Sequence, residues 1–371
     1  MKNLLGIVFS NSHKHIISEL TPNRCMGSLP VGGRYRLIDF VLSTLANSGV
    51  EDVGVITQTN YQSLMEHLGN GREWDLSRKS GGLVIFPPFS RTESGMYRGR
   101  IDALYSILGY LRSSPATHVI ICDCDMIFNT TYEDMLLSHI DSGADITILY
   151  KKMPLEADAA KDACVLSLAE DGRVQDVMIS PPVAGEHNLY LNIMITSKSL
   201  LEYLVSSCYS HNQYSLARDI LQAKAGQYHI HAYEYTGYVS RLYSLQSYYN
   251  ANMALLDPQV RRQLFPREMP IYTRVRDEAP VRYGLGSKVS NSLLADGCVV
   301  EGEVENSILF RGVTVGKKAK VKNSIIMQDT VIGENSQLEW VMTDKNVTVR
   351  EGRMLTGFRT YPIYIAKGSV I

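Results

Sequence analysis

Leu4-Leu5-Gly6-Ile7-Val8-Phe9, Ser10-Asn11-Ser12-His13-Lys14-His15 and Pro30-Val31-Gly32-Gly33-Arg34-Tyr35-Arg36-Leu37-Ile38-Asp39-Phe40 are the stretches whose reading decides the fold. The first is a short continuous apolar run, the pattern of a strand buried on both faces. A polar loop follows, then a basic segment containing two glycines. A first strand that runs through a loop into a helix is where an α/β protein holds a nucleotide phosphate, on free helix N–H groups and the helix dipole. Such a loop wants glycines, because the backbone must approach the phosphate without Cβ atoms in the way. Here the loop has none, and the glycines come later, at Gly32 and Gly33.

Outward from this stretch, residues 1 to about 245 alternate apolar runs with amphipathic ones. Strands are expected at 4–9, 52–57, 83–86, 118–122, 145–151, 163–168, 174–179, 189–196 and 229–235. Helices are expected at 38–48, 61–68, 100–111, 132–142, 197–206 and 216–224. Such alternation implies a mostly parallel sheet covered on both faces, with ligands at the carboxyl ends of its strands.

A chain of 371 residues is long enough for two domains. Hydrophobic residues make up 45% and charged residues 20%, as in ordinary globular proteins. The net charge of -1 gives no field for nucleic acid or an anionic membrane. No apolar run approaches the roughly 18 residues that span a bilayer. The N-terminus lacks the small-residue cleavage site of a signal peptide. The six cysteines fit neither zinc-knuckle nor Cys-x-x-Cys spacing, which favours reduced, buried thiols in a cytoplasmic protein. Asp123 and Asp125, two apart on one face of an extended segment, form a candidate Mg²⁺ pair.

A helical stretch at 244–256 ends at Asp257-Pro258, a helix-stopping pair. Residues 261–280 read as an inter-domain connection. They hold Arg261, Arg262, Arg267, Arg274 and Arg276, with Arg282 just beyond. These arginines make either a solvated face or a small anion or effector site, for which Arg36, Arg274 and Arg276 are the candidates. From residue 281 the texture changes. Val299, Val304, Leu309, Val315, Val321, Ile326, Ile332 and Leu338 recur five or six apart, with turn formers such as Gly297, Gly312, Gly316 and Asn323 between them. That period marks a hexapeptide-repeat, left-handed parallel β-helix whose inward aliphatics stack coil upon coil. Residues 358–371 read as its apolar cap. The expected division is 1–245 for a nucleotide-diphospho-sugar-transferase-like α/β domain, 246–280 for a linker with a bridging helix, and 281–371 for the β-helix.

The segment Pro30 to Phe40 resembles the PFGGKYRIIDF segment of the ADP-glucose pyrophosphorylases (glucose-1-phosphate adenylyltransferases). So do Asn47-Ser48-Gly49, Val55-Ile56-Thr57-Gln58, Trp74-Asp75-Leu76, Gly81-Gly82 before Pro87-Pro88, Tyr97-Arg98-Gly99, Val304 to Leu309, and Asp344-Lys345-Asn346-Val347. The resemblance covers nearly the whole chain. It implies a family of tetramers that join glucose 1-phosphate to ATP, release pyrophosphate and make ADP-glucose for glycogen or starch.

That chemistry crowds negative charge at one phosphorus, so Mg²⁺ and Arg or Lys clamps must neutralise it. Carried over position by position, the resemblance finds the scaffold kept and the clamps replaced. The catalytic Arg of the family's GGxGxRL loop falls on Ile16, and the lysine of KPAVP on Met26. The EKP lysine falls on Ser180 and its glutamate on Ile179. The SGDH aspartate aligns with Asp125, but the YWRDVGT aspartate falls on Arg241, a fixed positive charge able to pair with Asp125 instead. Each such loss typically costs about 10²–10³ in rate. Gln58, Gly81, Gly82, Tyr97 and Asp125 remain as a vestigial substrate pocket.

The chain is therefore similar to the second, non-catalytic type of bacterial subunit, which pairs with a catalytic chain in a hetero-tetramer. No cofactor is expected for this chain, and Mg²⁺ would serve the catalytic partner. Two other readings stand beside it: an active nucleotidyltransferase with a rearranged site, and a sensor that binds sugar phosphates or nucleotides without turnover. An acyltransferase working on the β-helix would need a prism histidine, and none lies beyond His231.

Overall fold

The structure is a computed structural model that describes residues 3–11, 17–79, 81–88, 97–161, 163–182 and 185–371. The N-terminal unit is built on a nine-stranded sheet. Its strands are β1 (Leu4–Phe9), β2 (Asp52–Ile56), β3 (Gly82–Phe86), β4 (His118–Asp123), β5 (Ile146–Leu155), β6 (Cys164–Leu168), β7 (Val174–Ile179), β8 (Gly185–Ser197) and β9 (Ile230–Glu234). The order is β7-β6-β8-β4-β1-β2-β3, with β5 beside β8 and β9 beside β5. Every residue of β1 is buried, as its apolar run requires.

The sheet is mixed rather than mostly parallel. β1 pairs parallel with β2 and β4, as β2 does with β3 and β9 with β5. β8 runs antiparallel to β4, β5 and β6, and β6 antiparallel to β7. The connection from β6 to β7, residues 169–173, is short enough for a hairpin, because antiparallel neighbours need no crossover helix. The register of β8 against β5 shifts between Tyr190 and Met194, and there Asn192 adopts φ 57°. The expected helix over 100–111 is two helices, α1 (Arg100–Ser106) and α2 (Leu108–Ser113), broken at Ile107. The stretch expected at 216–224 is a π-helical turn, Leu216–Gln222.

Asp257-Pro258 both ends one helix and begins another. After α3 (Leu245–Ala254), the Asp257 carboxylate accepts from the Gln259 N–H at 2.8 Å, and Pro258 opens α4 (Pro258–Leu264). Proline is at home in the first turn, where its missing N–H costs nothing. These helices are packed rather than solvated. Tyr248, Tyr249, Ala251, Leu255 and Leu264 share one buried cluster with Ile17, Met26, Leu37 and Phe40 of the N-terminal unit and with Ile308, Phe310, Ile325, Met327 and Met342 beyond residue 281.

From Arg282 onward the chain forms the left-handed β-helix: three parallel five-stranded sheets, visited in turn. Val304, Leu309, Val315, Val321, Ile326, Ile332 and Leu338 stack inside it. At the first of these coils the inward residue is Val300, not Val299. One corner of successive coils is held by Asn291, Asn306, Asn323 and Trp340, all at positive φ. The C-terminal cap is split: Ile365 is buried, whereas Phe358 and Tyr361 project outward.

Candidate functional site

A cleft of about 560 Å³ opens between Arg98–Arg100, the end of β7 and the segment from Asn212 to Asp219. Gly99 makes its wall possible. A Cβ there would lie 2.2 Å from the Tyr214 carbonyl, so only glycine lets α1 start against that loop. Ile101 N–H donates to the same carbonyl at 3.1 Å. Arg98 holds Asp102 at 3.2 Å and lies over the Tyr214 ring at 3.9 Å. Arg218 stands exposed on the rim.

Behind two of its lining residues, Arg100 and Asn192, stand the two carboxylates, which are not themselves among the described lining residues. Asp123 ends β4 and forms a salt bridge with Arg100, whose guanidinium also lies near the Phe9 ring. Asp125 is buried, and its Oδ2 accepts from the Asn192 side chain at 2.9 Å. Burial opposes the charge on Arg100, but the carboxylates of Asp123 and Asp125 more than offset it and raise its pKa. Burial pushes the Cys164 thiol up, while Arg100 and Arg241 pull it down and Asp123 and Asp125 raise it further, so all four charges act on this sulfur.

The replaced positions are scattered. Ile16, with His13, Lys14 and His15, lies outside the described residues. Met26 is buried in a 3₁₀ turn and belongs to the core shared by the two units. Ser180 adopts φ 53°, and its hydroxyl donates to the Lys161 carbonyl. Arg241 is buried, pairs through its backbone with Met126, and donates to the Ala159 carbonyl at 2.6 Å. Ile179 lines the cleft, while Met26, Ser180 and Arg241 are not among its described lining residues.

Three of the retained positions serve the fold. Gly81 and Gly82 sit at φ 76° and 91°, where a Cβ would meet Asp52 Oδ1 at 1.6 Å or the Leu76 carbonyl at 2.4 Å. Tyr97 packs in the main core, its hydroxyl accepting from Ser106 at 3.3 Å. Gln58 follows β2, and its Oε1 is buried without a hydrogen-bond partner among the described residues.

A second charged concavity lies where the two units meet. Arg34, Arg36, Arg276, Arg311 and Lys345 line it, with His67 at one side. Arg36 donates to the Ser63 carbonyl at 2.6 Å, and Arg311 holds Asp296 at 3.0 Å. Asp39 bonds His67 at 2.6 Å. Burial and the neighbouring guanidiniums of Arg36, Arg24 and Arg276 drop the Lys345 pKa to about 7, against the pull of Asp344. Arg274 is elsewhere, donating to the Glu66 carbonyl. Sequence reasoning missed Arg100, Asn192, Arg311 and Lys345. A cation at the first position of a helix opposes the dipole, and a polar residue inside the buried run of β8 breaks its pattern, so the first two left a signal.

A nucleotidyltransferase-type α/β sheet, a cleft at the ends of its strands and a hexapeptide-repeat prism define a sugar-nucleotide-transferase class of protein. Family models agree: "Nucleotidyl transferase" matches residues 17–178 and "GlmU-like, C-terminal hexapeptide" matches residues 281–358. The glycogen biosynthesis protein GlgD of Bacillus subtilis is 36% identical over 99% of this chain and 96% of its own length. Glucose-1-phosphate adenylyltransferases of Pseudothermotoga lettingae and Geobacillus stearothermophilus are each 33% identical over 86% of this chain, and over 77% and 84% of their own lengths. The chain belongs to the glucose-1-phosphate adenylyltransferase family. Among the described residues no helix is long and apolar enough to cross a membrane.

Proposed function

We propose that this chain is a regulatory, catalytically degenerate subunit of a glucose-1-phosphate adenylyltransferase, acting in glycogen biosynthesis by pairing with and activating a catalytic chain. The observation that carries the reading is the state of the positions where the resemblance places the catalytic groups. Where the resemblance asks for cations and a second carboxylate, Met26 is core, Ser180 is tied to Lys161, and Arg241 puts a guanidinium in place of an acid. The likeness to the glycogen biosynthesis protein GlgD along 99% of the chain supports the placement in glycogen biosynthesis. A preserved core beside a dismantled site is what a subunit needs that biases its partner's conformation without turning over.

Co-expression with the catalytic chain of the same organism tests this. A hetero-oligomer with a higher rate per catalytic chain is the expected result, along with negligible ADP-glucose formation by this chain alone in Mg²⁺. No complex and an unchanged rate, or ordinary turnover by the isolated chain, would refute it.

The crevice of Arg36, Arg276 and Lys345 supports a second element of the reading, a site for a phosphate-bearing small molecule. Among the described residues these three cations form no salt bridge, so the crevice holds more positive than negative charge. Equilibrium binding of ATP, glucose 1-phosphate and fructose 1,6-bisphosphate tests it, and failure of all three would remove it.

A further inference from the structure

The family chemistry implies a divalent cation at Asp125, and the residues present do not fit one. A Mg²⁺ site needs carboxylate oxygens open to an octahedral, partly hydrated ion. One oxygen of each carboxylate is instead taken, Asp123 Oδ2 by the Arg100 guanidinium and Asp125 Oδ2 by a hydrogen bond from Asn192 at 2.9 Å. Arg241 stands within electrostatic reach of the same cluster. Among the described residues the guanidiniums of part-buried Arg100 and buried Arg241 match in number the buried carboxylates of Asp123 and Asp125. Adding a divalent ion would leave a large uncompensated charge in a low-dielectric region. Nor is any group of three or more His, Cys, Asp or Glu placed to hold a metal among the described residues.

We propose that Arg100 is the resident cation of this cleft: its guanidinium, locked on Asp123 at the start of α1, stands in for a divalent metal and makes the cleft metal-free by construction. Arginine suits the role because it stays charged when buried and presents a planar fork to a carboxylate. Gly99 and the Tyr214 carbonyl fix the helix start, so the guanidinium is delivered to the carboxylates rather than to solvent. Arg100 is thus a positioning and blocking residue. The Mg²⁺ requirement of any complex containing this chain is then set by the catalytic partner alone. The biological meaning rests on the reading above. The metal test does not, since it needs neither partner nor turnover.

Manganese titration followed by electron paramagnetic resonance reads the site directly. The full-length chain is expected to show no stoichiometric Mn²⁺ binding. Arg100→Thr combined with Arg241→Asp is expected to bind at least about tenfold more tightly than the wild type, in a manner lost on adding Asp125→Asn. Circular dichroism and melting temperature report whether each variant folds. Arg100→Gln, closer in size, replaces Arg100→Thr if that variant does not. One Mn²⁺ per wild-type chain, displaced by Mg²⁺, would overturn the proposal. So would folded variants that bind no better than the wild type. A metal-free chain that fails to activate a partner would refute the proposed function and leave this inference standing.

Discussion

At Gly82 the backbone is held at φ 91° with the Leu76 carbonyl 2.4 Å from where a Cβ would sit. Gly82→Ala should therefore destabilise the chain by about 2–3 kcal/mol, from a left-handed residue and a clash with rigid backbone. Urea unfolding checks this, and a loss under about 0.5 kcal/mol would show that the turn relaxes. The sequence flags the glycine pair through a resemblance to a ligand-binding family, but the reason for it is steric and local. The converse holds for Arg24. Its Nη2 reaches both oxygens of the buried Asp344 carboxylate, at 2.7 and 2.8 Å, across 320 residues of chain. Nothing within a sequence window announces such a partner. Arg24→Met should cost about 3 kcal/mol, because among the described residues Asp344 would keep just the Tyr364 hydroxyl and the Lys345 N–H. A double cycle with Asp344→Asn should show strong coupling between the two positions.

The elements were legible in the sequence wherever periodicity alone fixes them. β1 and the inward stack of the β-helix follow from runs and repeats, since burial on two faces or in a prism leaves few residue choices. What periodicity cannot give is which strands become neighbours. The antiparallel β8 rests on a bulge at Asn192 and on pairings with three different strands, so an alternating pattern read as mostly parallel. Val299 and Val300 differ by one position, and adjacent valines carry no information about which faces inward until the coil above sets the register. The break at Asp257-Pro258 was visible, but its second role as a helix start was not, because a stop signal and an N-cap share the same residues. Asp257→Ala should lower stability by about 1 kcal/mol through loss of that cap. Loss of α4 protection in amide hydrogen exchange, with α3 unchanged, would place the effect in this element.

The two units of the molecule are fastened by one apolar cluster and by the Arg24–Asp344 pair, and the crevice of Arg36, Arg276 and Lys345 opens beside that seam. None of this was legible from local pattern, because the arginines of 261–282 look alike until the fold turns Arg276 into the crevice and Arg274 onto Glu66. The seam makes a prediction about pH. Lys345 has an ordinary value of 10.5 and a folded value of about 7, so between these limits the folded chain binds fewer protons than the unfolded one. Stability therefore rises with pH across that window. Below about pH 7 the lysine is charged in both states, and the cost of holding it beside Arg36, Arg24 and Arg276 is present in full. A bound dianion reverses the balance by favouring the ammonium form. Sulfate, dianionic throughout, should raise the melting temperature more near about pH 6.5 than near about pH 9. Lys345→Met should melt higher than the wild type near about pH 6.5 without sulfate and gain less from adding it, because an unpaired cation is gone along with one anion contact. Equal sulfate gains at both pH values, or a Lys345→Met variant less stable than the wild type, would mean that Lys345 supports the seam rather than waiting there for an anion.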